Sequence, residues 1–150
     1  MSTKKDVAKD LGLGSLKQIG IVVKNTDKVL EFYGKTLGLG KFDSMVAENT
    51  SQRGKSKLRI SLGQVGGIQF ELIEVVEGET LHSDFLKQGR EGLHHLGFYV
   101  SDIDKRLGEL EKKGIKLLER GKVLGVEYAY LDTARISGVI FELIKLGRES

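Results

Sequence analysis

The sequence predicts an α+β fold made of two tandem βαβββ modules. Three observations carry that prediction. "LKQIGIVVKNTDKVL" from Leu16 matches "LHHLGFYVSDIDKRL" from Leu93 in its leucine, glycine, valine, Asp-Lys pair and final leucine. "GIQFELI" from Gly67 matches "GVIFELI" from Gly138, so that Glu71 falls opposite Glu142. Within each copy a strand is followed by an amphipathic helix and then by further strands. Two copies so far apart are too few and too long for a solenoid. What remains is a fused pair of similar modules, 16–76 and 93–146, within a single domain over 1–150.

The first strand runs from Lys17 to Val23. A helix from about Asp27 to Leu37 follows, with Val29, Leu30, Phe32, Tyr33 and Leu37 on its apolar side. "KLRISL" and "GGIQFELIEV" are strands turned at their glycines. A shorter helix near 80–87 bridges the modules and buries Leu81, Phe85 and Leu86, with His82 expected at the surface. The second module opens with a strand from His94 to Val100. Ser101, with Asp104 three residues on, makes a capping-box-like start to the next helix. Ile103, Leu107 and Leu110 form its apolar stripe, and Gly114 closes it in a left-handed conformation. "IKLLER", "VEYAYLD" and "GVIFELIKL" are the remaining strands.

A chain of 150 residues with 39% hydrophobic content can bury an ordinary core. Cysteine is absent, which excludes disulfides and thiolate metal sites. The net charge of +3 comes from 24 basic and 21 acidic residues that are interspersed, unlike the clustered basic face of a nucleic-acid binder. No apolar run approaches membrane-spanning length, and the start lacks the apolar centre of a secretory signal. The expectation is a cytoplasmic protein with no membrane partner, whose tip "MSTKK" is a solvated end.

Residues two apart on a strand share a face. Glu142 then lies between Ile140 and Ile144, and Glu71 between Gln69 and Ile73. Gln18 shares a face with Leu16, Gly20 and Val22. His95, its counterpart under the repeat, shares one with Leu93, Gly97 and Tyr99. By the same alternation His94 points the other way, as a structural or partly exposed residue. Each of the four has a plainer reading alone: a solvated or ion-paired glutamate, a polar strand start, a structural histidine. Their correspondence under the repeat joins them. Unpaired buried carboxylates are costly, so two at equivalent positions ask for a common partner, and a divalent cation would serve all four. An oxygen-rich set with one imidazole suits Zn, Co, Ni, Mn or Mg.

These residues resemble the vicinal-oxygen-chelate superfamily, over Leu16 to Leu146. The resemblance implies that the modules form a curved mixed sheet around a metal-binding cup. Its ligands would be Gln18, Glu71, His95 and Glu142, holding Zn, Co, Ni or Mn. Within the superfamily, "FLKQGREGLHHLGFYVSDIDKRLGELEKKGIKLLERG" and "SGVIFELI" are most similar to methylmalonyl-CoA epimerases. The chain departs from them at Gln18, where His is usual, and at Asp132 and Thr133, in place of His-Pro. It departs again on "KSKLRISL", where Lys57 and Arg59 stand and the epimerase catalytic glutamate has no counterpart. The set Gln, Glu, His, Glu also resembles the metal shell of some glyoxalase I enzymes, whose Asn-Trp-Gly segment is missing here.

The function so implied is metal-dependent proton transfer α to a carbonyl, with Glu142 and Glu71 as candidate catalytic bases. Arg59 and Lys57 are candidate substrate-binding residues for a carboxylate or CoA phosphates at the cup mouth. The expected partners are a small-molecule substrate, such as a CoA or glutathione thioester, and a second copy of the chain in a homodimer. Two alternatives stand beside the epimerase: a glyoxalase I-like lactoylglutathione lyase, and a metal-free cup that sequesters a small molecule as resistance proteins do.

Overall fold

The computed structural model describes residues 13–146, and the tip "MSTKK" lies outside them. Its strands are β1 (Ser15–Val22), β2 (Phe42–Ser51), β3 (Gly54–Val65), β4 (Ile68–Glu77), β5 (Gly92–Tyr99), β6 (Leu117–Val123), β7 (Val126–Leu131) and β8 (Ile140–Lys145). The helices are α1 (Thr26–Glu31), α2 (Leu81–Lys87), α3 (Ile103–Glu111) and α4 (Ala134–Ser137), with a π-helical turn, Phe32–Thr36, continuing α1. No helix among the described residues is long and apolar enough to cross a membrane.

The strands close into a barrel in the order β1-β4-β3-β2-β6-β7-β8-β5. Each module therefore supplies one half, and in each half the first and last strands of the module pair in parallel, β1 with β4 and β5 with β8. Two seams join the halves. β1 and β5 run antiparallel from Ser15 opposite Tyr99 to Val22 opposite Gly92. β2 and β6 meet only from Asn49 opposite Val123 to Ser51 opposite Gly121. Both seams lie within one chain, so the modules close on each other without a second copy.

Val22, Leu58, Ile60, Ile73 and Phe85 form the core inside the barrel. A second cluster of Ile103, Ala129, Leu131 and Leu143 lies outside it, covered by Leu107 and Leu110 of the predicted α3 stripe. Some boundaries differ from expectation. The α3 cap is Asp102, whose side chain accepts the Lys105 N–H, one residue beyond Ser101. The π turn widens the end of the first helix and leaves Phe32 and Leu37 half exposed. β2 had no separate signal because "FDSMVAENTS" is mostly polar; only Ala47 and Asn49 are buried along it.

Three irregularities in strand register decide which residues face inward. Lys17 on β1 and His94 on β5 are extra residues in the β1/β5 ladder, and Leu118 is extra in the β6/β7 ladder. A bulge sets two residues against one and breaks the alternation of faces. As a result Leu16, Leu93 and Leu118 are exposed, while Gln18, His94, His95 and Glu119 are buried.

Candidate active site

The repeated glycine explains how the site is assembled. Across the β1/β5 seam Gly20 stands opposite His95, and Gly97 opposite Gln18. On the other side of each glycine is its own module's glutamate, Glu71 beside Gly20 and Glu142 beside Gly97. Each module's glycine thus makes room for the other module's polar side chain. A Cβ on Gly20 would lie 2.0 Å from the His95 ring, and one on Gly97 would lie 3.0 Å from the Gln18 Cβ. Neither position tolerates a side chain without displacing its neighbour.

All four predicted residues come together at this seam. His95 is fully buried, with its Nε2 3.3 Å from Glu71 Oε1 and 3.6 Å from Glu142 Oε1. His95 Nε2 and Glu142 Oε1 are buried and lack hydrogen-bond partners. The Gln18 amide donates to Gln69 Oε1 at 2.7 Å, which anchors it to its neighbour on β4. Gln18, Gln69, Glu71, Glu142, Tyr99 and Tyr128 provide the polar part of a cavity of about 270 Å³, whose apolar wall includes Leu62, Val126 and Ile144. His95 does not line the cavity itself, and its Nε2 lies beside the two carboxylates that do. Burial raises the Glu142 carboxyl to about 7; the His95 charge pulls it down, Glu71 pushes it up and the Tyr130 hydroxyl lowers it. Burial is the largest single influence on His95 and opposes its charge, but Glu142 and Glu71 together raise it above its ordinary value.

Residues 17–130 match the model of the Glyoxalase/Bleomycin resistance protein/Dioxygenase superfamily. The chain belongs to this superfamily. It is 24% identical to the mitochondrial methylmalonyl-CoA epimerase of Bos taurus over 135 residues, 87% of this chain and 74% of the relative. The Homo sapiens enzyme is 25% identical over a similar span, covering 73% of the relative. Among solved structures, a single-substitution variant of the Streptomyces coelicolor methylmalonyl-CoA epimerase, in complex with 2-nitronate-propionyl-CoA, is 26% identical with a TM-score of 0.70. That match covers 89% of this chain and 95% of the other. The curved mixed sheet that the resemblance implied is thus the superfamily fold.

This member of the superfamily places its remaining histidines where the sequence reading did not. His94 is buried, not partly exposed, because the bulge turns its ring inward beside that of His95, Nδ1 to Nδ1 at 2.8 Å. His82 is buried as well, not at the surface. α2 caps the barrel end and directs His82 inward, with Nε2 2.8 Å from the Tyr130 hydroxyl and Nδ1 3.1 Å from Thr80 Oγ1. Tyr130 is also the cross-strand partner of Glu142, so His82 stands behind the site through one hydroxyl.

These buried histidines predict acid sensitivity. Burial, with the charge of His95 adding to it, pushes His82 down to about 3 from an ordinary 6.5. A histidine lowered in the fold contributes stability that is complete above pH 6.5 and is lost as pH falls toward 3, since the unfolded chain takes up the proton first. His94 is lowered for the same reasons. Each should cost about 1.4 kcal/mol per pH unit inside that window. Glu142 works in the opposite sense between 4.5 and about 7, where the fold holds its proton more tightly than the unfolded chain does. In urea melts between pH 7 and 5, His82→Gln should therefore show a shallower acid loss than the parent, by about one proton. An unchanged slope would contradict a neutral buried His82.

Arg59 and Lys57 are not brought to the cavity. Odd-numbered residues of β3 face outward while Leu58, Ile60 and Leu62 face in, and Arg59 pairs with Asp27 at 2.7 Å on the outside. Lys57 is exposed, 3.7 Å from Glu77. Sequence reasoning placed Gln69 and Tyr99 on the faces of Glu71 and His95 without giving them a role, and it missed Tyr128; all three line the cavity. It also missed Asp43 and Met45 of β2, which line an adjoining depression that shares Leu62 and Gln69 with the cavity. Among the described residues no group of three or more His, Asp or Glu side chains stands as a finished ligand set.

Proposed function

We propose that this chain is a metal-dependent isomerase that moves the proton α to a thioester carbonyl, as an epimerase of methylmalonyl-CoA or a closely related acyl-CoA. The observation that supports this most is the meeting of Glu71, His95 and Glu142, drawn from both modules, at one cavity wall where burial holds Glu142 near neutrality. A general base works best with a pKa near the operating pH. The likeness to epimerases, one of them in complex with 2-nitronate-propionyl-CoA, supports the substrate class.

The donor chemistry at the site supports a divalent ion, without the described residues standing as a finished ligand set. Two buried polar atoms, His95 Nε2 and Glu142 Oε1, are without partners beside a third donor, Glu71 Oε1. Gln18, Glu71, His95 and Glu142 would hold the ion, with oxygen and one imidazole as donors suited to Zn, Co, Ni or Mn. When bound, such an ion would supply stabilisation of negative charge on the substrate carbonyl oxygen.

The protein's own groups do the rest. Glu142, as carboxylate, takes the α-proton and holds it, with the Tyr130 hydroxyl beside it. Glu71, from the other module, is the second carboxyl available to return a proton. The apolar wall of Leu62, Val126 and Ile144 excludes water and keeps Glu142 basic. A cavity of about 270 Å³ admits a small acyl end and leaves the bulk of a CoA outside.

The α-proton exchange of methylmalonyl-CoA in deuterated water, followed by NMR on metal-loaded protein, tests the proposal. Exchange is the expected result. Inertness toward that substrate with turnover of the methylglyoxal-glutathione adduct would replace the epimerase with a glyoxalase-like lyase. Uptake of less than about a tenth of an equivalent of Zn, Co, Ni or Mn would sink the metal-dependent reading and leave a binding protein.

A further inference from the structure

We propose that Leu124, at the tip of the hairpin between β6 and β7, is a specificity-determining residue: its side chain closes the cavity mouth over the acyl end of a bound CoA thioester and limits the chain length admitted. The class of ligand rests on the proposed isomerase function.

Val123 pairs with Val126, so the hairpin turns through two residues, Leu124 and Gly125. Their φ angles are 54° and 74°. Two positive φ angles in a two-residue hairpin match the strand twist and are usually supplied by Asn-Gly or Gly-Gly. The chain follows that rule between β3 and β4, where Val65 pairs with Ile68 and the turn is Gly66 and Gly67, at φ 58° and 85°. Among the described residues Leu124 alone has a positive φ without being glycine. Left-handed backbone crowds the Cβ of an L-residue against the following carbonyl oxygen, and leucine has no polar group to compensate by a local hydrogen bond, as asparagine has. The turn is therefore better served by Asn or Gly, and what the leucine contributes lies outside the turn.

Its surroundings show where. Leu124 is half exposed, so burial in the core does not account for it. Together with Val123 it lines both the cavity and a separate depression, where Thr50, Arg120, Lys122 and Glu127 supply a polar surface. Val123 packs against the core inside the barrel; Leu124, one residue further, stands at the rim. The leucine side chain thus separates an apolar space from a polar one. An acyl end placed against Glu71 and Glu142, on the same cavity, has its apolar chain beneath this rim. Without the leucine the cavity runs into the depression, and longer chains gain room.

Leu124→Asn and Leu124→Gly both fit the turn and remove the apolar rim. Leu124→Asn should raise the melting temperature by about 2–4 °C. An unchanged or lower value would mean that the leucine serves the fold, and would overturn the inference. Calorimetric titration of metal-free protein with propionyl-CoA and hexanoyl-CoA gives the second readout. The parent should prefer propionyl-CoA. In each variant affinity for propionyl-CoA should fall about 5–20-fold and the preference should shrink about tenfold. No preference in the parent, or a parent-like preference in both variants, overturns the inference whatever the affinities. If metal-loaded parent gives no α-proton exchange yet binds propionyl-CoA, the isomerase function fails and the titrations still decide the role of Leu124. Exchange in the parent with unchanged preference in the variants removes Leu124 alone.

Discussion

Glu142→Gln is expected to lower the α-proton exchange rate by about 10²–10⁴-fold, the usual contribution of a positioned general base. The amide keeps the shape of the side chain and an oxygen for the Tyr130 hydroxyl, but it cannot accept a proton. Because burial holds the parent carboxyl near 7, the substitution removes no fully formed buried charge at neutral pH. The fold should therefore survive with a change in stability of about 1 kcal/mol or less. Exchange kinetics and a thermal melt on the same sample separate loss of chemistry from loss of fold. Parent-like exchange in a folded variant would remove Glu142 from its assigned role and leave Glu71 as the base.

Gly20→Ala should be the most disruptive single-methyl change in the barrel. The added Cβ would sit 2.0 Å from the His95 ring, which is buried and held from behind by His94, so the ring has no open space to enter. Overpacking of this kind costs about 1–3 kcal/mol or more. For a chain of this size that corresponds to about 2–4 °C of melting temperature per kcal/mol. The clash falls on a proposed ligand, so Co²⁺ affinity should fall with stability. Gly108→Ala is the control: it lies within α3, nothing lies within 4 Å of its Cβ position, and alanine there should be neutral or stabilising by about 0.5–1 kcal/mol. If Gly20→Ala matched that control, the seam would have to be looser than its register implies.

The comparison of these two glycines shows how far the residues alone could be read. The duplication revealed that Gly20 and Gly97 are equivalent, but not what each one faces. Pairing across the seam supplies the reason, because each glycine opposes a side chain from the other copy. The histidines show the complementary limit. Alternation assigned His94 and His95 to opposite faces, a sound rule for a regular strand. It failed at the bulge, since an extra residue in one strand resets the faces beyond it and depends on the partner strand for its existence. Glu119 was hidden for the same reason, by the bulge at Leu118. His82 was hidden because one polar residue on a seven-residue helix has no periodicity to declare its face.

Arg59 and Lys57 illustrate a further difference. Their shared face was legible from spacing, but spacing does not say which face of a strand is the inside of a barrel. That depends on which side the other strands curve around, a property of the assembled sheet. The two-module plan, the order of most elements and the quartet Gln18, Glu71, His95 and Glu142 were determined by the sequence itself, through a repeat and a period that need no partner to be seen. Tertiary structure alone decided the seams, the bulges and the inward turn of His82 and His94. Those depend on pairing and packing between residues distant in the chain, which no local pattern encodes.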